Sequence, residues 1–207
     1  MTQFHPRKND YGQPVEIRHP SVASPLANWS TPTETATVVP DGPMPAELNG
    51  IALASWQPPA TDAEWATVTG QADIDEPPFS APSGKNPAAG VVVIEPDGRI
   101  WLVSPSNGYG GYKHTFPKGR REAGASLQAT AIREAFEEAG LKVEITGFLA
   151  DLPRSLTQTR YYTARRVGGT PAAMGWESQA VHLVPRSKLA AFLTNSYDKP
   201  FLKLLGG

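Results

Sequence analysis

The stretch "GRREAGASLQATAIREAFEEAGL", residues 119–141, decides how the rest of the chain is read. Ser126 is a favourable N-cap, and Gly140 suits the left-handed residue that ends a helix, so a helix is expected between them. At about 100° per residue, Glu134, Glu137 and Glu138 share one face, with Arg133 at its edge. Ile132, Ala135, Phe136 and Ala139 fall on the opposite side and are expected in the core. Glu134 and Glu138 repel each other at i, i+4 by a few tenths of a kcal/mol, and one arginine does not neutralise three carboxylates. A solvated helix face would tolerate that crowding. A hard divalent cation would explain it, because magnesium takes oxygen ligands and keeps water or substrate phosphate in its shell.

Outward from this helix, the chain reads as alternating strands and helices. Residues 88–95 are a continuous apolar, β-branched run, expected as a buried strand. Residues 96–98 are a turn signature, and 99–104 are expected as the partner strand of a hairpin. Two loops follow: a glycine-rich one at 105–112 and a second at 114–125, broken by Pro117, Gly119 and Gly124. Beyond the helix, strands are expected at 141–150, 158–167 and 179–184. A helix is expected at 185–193 with Pro185 in its first turn, and a short last helix at 197–205. This order predicts an α/β sandwich with a mixed β-sheet.

Residues 1–86 differ in physics. They hold four Lys/Arg against ten Asp/Glu, a net −6, while 87–207 hold fifteen against ten, a net +5. Most of the 21 prolines lie in the acidic part, so long helices are not expected there. Extended pieces are expected at 15–17, 36–39 and 51–56. Trp29, Trp56 and Trp65 argue against disorder, so this region is read as a Pro-rich arm or small β subdomain. It would pack on the remainder of the chain or on a second subunit, which makes a homodimer through the arm an expectation. The absence of cysteine excludes disulfides and thiolate chemistry. No apolar run reaches the roughly 20 residues that span a bilayer, and the first residues lack the apolar core of a secretory signal. A cytoplasmic protein is expected, with no membrane partner and no dedicated DNA-binding surface.

The spacing of the opening stretch resembles the Nudix hydrolase family. Gly119 takes the first position of its signature, Arg133-Glu134 the central pair, Glu137-Glu138 the second pair, and Gly140-Leu141 the end. Ala125 stands where the family carries a further glutamate. The resemblance implies a Nudix-type α/β/α sandwich over 87–207, and hydrolysis of a pyrophosphate bond in a nucleoside diphosphate linked to another group. It implies Glu137 and Glu138 as Mg²⁺ (or Mn²⁺) ligands, Glu134 as a further ligand or general base, and Arg133 as the residue that orients them. The backbone carbonyl of Lys118 and the carboxylate of Glu177 are implied as additional metal contacts.

Lys113, His114, Lys118, Arg120 and Arg121 are candidates for holding phosphate, with Arg154, Arg160, Arg165 and Arg166 as further cationic capacity. Tyr161 is a candidate substrate contact, and Tyr109, Tyr112 and Tyr162 are candidates for stacking on a base. The "FPKG" at 116–119 resembles members acting on dinucleoside polyphosphates or diphosphoinositol polyphosphates. Ala125 and the long arm keep a non-catalytic nucleotide sensor open as an alternative, and RNA-end hydrolysis would use the same chemistry.

Overall fold

The computed structural model describes residues 2–206. Eleven strands are present among them: β1 (Gln3–Phe4), β2 (Glu16–Ile17), β3 (Ala36–Val38), β4 (Glu47–Leu48), β5 (Ile51–Ala52), β6 (Asn86–Val93), β7 (Ile100–Pro105), β8 (Lys118–Arg120), β9 (Leu141–Pro153), β10 (Thr157–Gly169) and β11 (Ser178–Val184). The α-helices are α1 (Asp62–Ala66), α2 (Leu127–Ala139), α3 (Leu189–Phe192) and α4 (Lys199–Leu204). A four-stranded mixed sheet runs β8-β6-β10-β9, with β6 and β10 parallel and the other pairs antiparallel. A three-stranded antiparallel sheet runs β3-β11-β7. One apolar core joins α2 to both sheets; a second, around Phe116, Tyr161 and Phe201, lies under α3 and α4. The expected α/β sandwich is therefore observed.

The hairpin expected over 88–104 opens differently. Its turn forms, with Glu95 N–H donating to the Arg99 carbonyl at 2.9 Å. Beyond a single bridge between Ile94 and Ile100, however, β6 and β7 join separate sheets. Both edges of β6 are already taken by β8 and β10, which leaves none for β7. The last two helices begin with 3₁₀ turns, and Pro185 precedes its helix as a cap rather than lying inside it.

Tyr161 and Tyr162 point to opposite faces, as successive strand residues must. Both are fully buried, Tyr161 in the second core and Tyr162 in the first. Each face of the mixed sheet is covered, so alternation leaves neither tyrosine for solvent.

The N-terminal region is built onto these sheets. β3 adds a strand beside β11, pairing Val38 with Val181. Trp29 packs on Trp101 with ring centroids 5.9 Å apart, and Trp56 and Trp65 both pack on Phe136 of α2. Proline-rich backbone cannot satisfy its own carbonyls in a ladder, and unpaired buried carbonyls are costly. Arginines supply the donors. Arg99 donates to the carbonyls of Asn28 (2.9 Å) and Trp29 (2.6 Å), Arg160 to that of Pro77 (2.7 Å), and Arg166 to that of Leu48 (2.9 Å). Each is neutralised by a carboxylate: Asp97, Asp151 with Glu76, and Glu95 respectively. Arg154 is buried too, bonded to Asp198 at 2.7 Å and to the Tyr161 hydroxyl. Arg165 is exposed and pairs with Glu144. The expectation that these arginines hold a polyphosphate is thus corrected: Arg154, Arg160 and Arg166 are committed inside the fold.

The Arg166–Glu95 pair is fully enclosed, at 2.6 Å with both side chains at 0% exposure. Removing one partner of such a pair strands the other charge, so Arg166→Ala is expected to lower the free energy of unfolding by about 3–5 kcal/mol. Urea denaturation followed by tryptophan fluorescence measures it; a loss below about 1 kcal/mol would mean that Glu95 finds other partners.

Candidate active site

The acidic face forms because α2 is fixed at both ends. Ser126 Oγ accepts from the Ala129 N–H at 2.9 Å. Gly140 adopts φ 66°, and a Cβ there would collide with the Thr170 carbonyl oxygen. The Gly175 N–H donates to the Glu137 carbonyl at 2.7 Å, and a Cβ at Gly175 would strike that same oxygen. These contacts seat the loop of residues 170–177 on the last turn of α2 and bring Glu177 towards the face carrying Glu134, Glu137 and Glu138.

β8 closes the other side. The Lys118 N–H donates to Glu138 Oε2 at 2.9 Å. The Glu134 carboxylate lies against the Cα of Gly119, in the space that a Cβ would fill. That close approach explains the glycine that opens the stretch: any side chain there must push Glu134 aside. Arg133 donates from Nε to Glu137 at 2.7 Å and from Nη1 to Glu122 at 2.6 Å.

The carboxylates raise one another's pKa. Burial pushes Glu134 well above the usual range, and the charges of Glu138, Glu137 and Glu177 push it further. Burial raises Glu138 to about 7, against the opposing charge of Lys118 and with Glu177 adding to the rise. Glu137 is raised by desolvation despite Arg133. Glu177, at the rim, is raised by desolvation and then by Glu137 and Asp10. Among the described residues, no three His, Cys, Asp or Glu side chains are placed to hold a metal ion together. The donor set still fits magnesium or manganese: it is all oxygen, and such ions bind through a few carboxylates with water and phosphate completing the shell.

The cationic candidates divide. Lys118 stands beside the cluster, its charge acting on Glu134, Glu138 and Glu177 and its Nζ 5.1 Å from the Tyr112 ring centroid. Arg120 lines the same cavity as Arg133, Glu134 and Glu137. Lys118 and Arg120 are two apart on β8 and share the face opposite Gly119, so they approach the cluster around the strand rather than from the side of Glu134. Arg121, past the strand end, lines a different groove with Gln71, Ser126 and Tyr162. His114 is half-buried: its ring packs on His182 and Phe192 and its Nδ1 bonds the Phe192 carbonyl at 3.3 Å, while burial lowers its pKa. Tyr161 is a correction, being enclosed beneath α4. Tyr112 is buried too, Lys113 is exposed, and the side chain of Tyr109 lies outside the described residues.

Three residues of the N-terminal region reach the site without a sequence signal for that placement. Asp10 accepts from Trp176 Nε1 at 3.2 Å, and its charge acts on Glu137 and Glu177. Asp62 and Trp65 of α1 approach Arg133. The capping box between Thr61 and Glu64 was a legible sign of a helix start, but nothing local says where that helix docks.

An α/β sandwich with a glutamate face on its central helix, closed by a glycine strand, is what the geometry defines. The NUDIX domain model matches residues 84–205, and the chain belongs to the Nudix family. RNA pyrophosphohydrolase of Caulobacter vibrioides (strain NA1000 / CB15N) is 40% identical over 62 residues, 30% of this chain and 36% of that protein. The match thus spans about a third of that relative's length. The solved NUDIX hydrolase of Nitrosomonas europaea is similar with a TM-score of 0.50 and 21% identity, over 60% of this chain and 72% of that one. An Ap4A hydrolase of C. elegans is similar with a TM-score of 0.47 and 20% identity, over 57% and 92%. No helix among the described residues is long and apolar enough to cross a membrane.

Glu138 titrates near 7, above the ordinary carboxylate value of about 4.3. A folded-state pKa above the unfolded one contributes stability that is complete below the unfolded pKa and lost as pH rises through the folded one. Glu134, Glu137 and Glu177 are raised in the same direction. In chelator, the thermal midpoint is therefore expected to fall between about pH 5 and about pH 8, and millimolar Mg²⁺ or Mn²⁺ to reverse the fall at the upper pH. Calorimetry with and without the cation checks this; an identical fall in both would count against a cation between the glutamates.

Proposed function

We propose that this chain is a divalent-metal-dependent pyrophosphohydrolase acting on a nucleoside diphosphate linked to another group. The observation that carries this reading is the set of mutually repelling carboxylates on α2, with Lys118 and Arg120 beside them. Bound there, Mg²⁺ would neutralise the pyrophosphate and acidify a water. Glu137 and Glu138 would hold the ion, with the Lys118 carbonyl and Glu177 as further contacts. Glu138 is already oriented by the Lys118 amide. Glu134, half-buried and raised in pKa, would be the further ligand or the general base that takes a proton from water. Arg133 fixes Glu137, and Lys118 and Arg120 lie where substrate phosphates would need cationic partners.

The substrate class best matching the "FPKG" sequence is a dinucleoside polyphosphate or a related polyphosphate. The compartment that suits such a substrate is the cytoplasm. The Caulobacter relative supports a second reading, removal of pyrophosphate from an RNA 5′ end. Self-association through Phe4, Tyr11, Val22 or Leu26, which are exposed, is the form a homodimer would take.

A panel of dinucleoside polyphosphates, diphosphoinositol polyphosphates, nucleotide sugars and 5′-triphosphorylated RNA, assayed for Mg²⁺-dependent release of phosphorylated product, tests the reading. Turnover is expected with at least one class. Glu137→Gln with Glu138→Gln should lower kcat/KM by about a thousandfold, the equivalent of the several kcal/mol that a bound ion contributes. Full activity in that double variant sinks the metal assignment. Tight binding without turnover of any member favours a nucleotide sensor.

A further inference from the structure

Position 125 carries alanine at the wall of a cavity of about 40 Å³ that it shares with Glu122, Arg133, Glu134 and Glu137. The facing wall is Asp62 and Trp65 of α1, from the N-terminal region. The Arg133 guanidinium sits between these walls. Its Nε holds Glu137 at 2.7 Å, and its Nη1 reaches Glu122 at 2.6 Å and Asp62 at 3.3 Å. The guanidinium centre is 5.9 Å from the centroid of the Trp65 ring.

An i, i+4 pair between Arg133 and Glu137 alone would be weak, worth a few tenths of a kcal/mol at a solvent-accessible helix face. It would leave the long arginine side chain free to choose among rotamers. A second charge-assisted bond from the other end of the guanidinium fixes its plane, and a ring beside it removes further freedom. Of the two carboxylates on Nη1, Glu122 is nearer and 49% exposed, while Asp62 is 80% exposed. Glu122 therefore carries the contact and Asp62 assists.

We propose that Glu122, supported by Asp62 and Trp65, is the positioning residue for Arg133 and through it for Glu137. It supplies from three residues upstream the carboxylate that alanine at 125 lacks. The N-terminal region thereby forms one wall of the acidic site. The proposal rests on the divalent-metal reading of that site but not on turnover.

The test is calorimetric titration of the full chain with Mn²⁺, together with urea unfolding, for wild type, Glu122→Ala, Ala125→Glu and the double variant. Glu122→Ala is expected to weaken Mn²⁺ binding about tenfold, the low end for removing a group that orients a metal ligand, with the urea midpoint unchanged. Ala125→Glu in that background is expected to restore affinity to within about threefold of wild type, because the new carboxylate enters the cavity beside Arg133. Unchanged Mn²⁺ affinity in Glu122→Ala overturns the proposal. So does a folded double variant without recovery, or a wild type that binds no Mn²⁺. A shifted midpoint with unchanged affinity would mark Glu122 as merely structural. If wild type binds Mn²⁺ but hydrolyses nothing in the panel, the catalytic reading fails while the affinities still decide this one.

Discussion

Carboxylates held together on one side of a helix repel one another, and the protein around α2 is arranged so that they stay together regardless. Glu134, Glu137 and Glu138 share a helix face, and Glu177 is brought to them by a loop seated on the Glu137 carbonyl. The nearby compensation is small: one backbone amide for Glu138, one guanidinium for Glu137, and the charge of Lys118. All four carboxylates are raised in pKa despite these contacts, so the charged cluster is disfavoured in the fold. That cost is offset by the apolar underside of α2, where Ile132, Ala135 and Ala139 are buried against both sheets.

The N-terminal region solves a different problem with the opposite charge. Its prolines prevent long ladders, so its carbonyls need donors from elsewhere, and Arg99, Arg160 and Arg166 provide them from the sheets. Each arginine has at least one carboxylate partner, so none is buried as an unpaired charge. Basic residues that looked available for substrate are therefore spent on holding irregular backbone. The cationic groups left near the acidic cluster are Lys118, whose charge acts on Glu134 and Glu138, and Arg120, which lines the cavity of Arg133 and Glu134.

What the sequence made legible follows from range. The caps of α2, its two faces and the spacing from Gly119 to Leu141 are local properties, each set within a few turns of chain. The mixed α/β architecture was legible because strand and helix periods differ. Tyr161 was misread because its exposure depends on α4, which arrives late in the chain and covers that side. Asp10 and Asp62 were missed because they precede α2 by more than sixty residues and nothing local says that they dock beside it. The separation of β6 from β7 was hidden too, since the competitor for the β6 edge is a three-residue strand within a glycine loop.

Gly119 contributes to the site through a missing atom. Its bare Cα leaves the volume in which the Glu134 carboxylate rests, so the two positions, fifteen apart in sequence, share one space. A methyl group at 119 would meet only the tip of a flexible side chain, so the fold would survive it by letting the carboxylate swing away. What such a change would move is the direction in which the acid points, and with it the distance from its oxygens to the other glutamates.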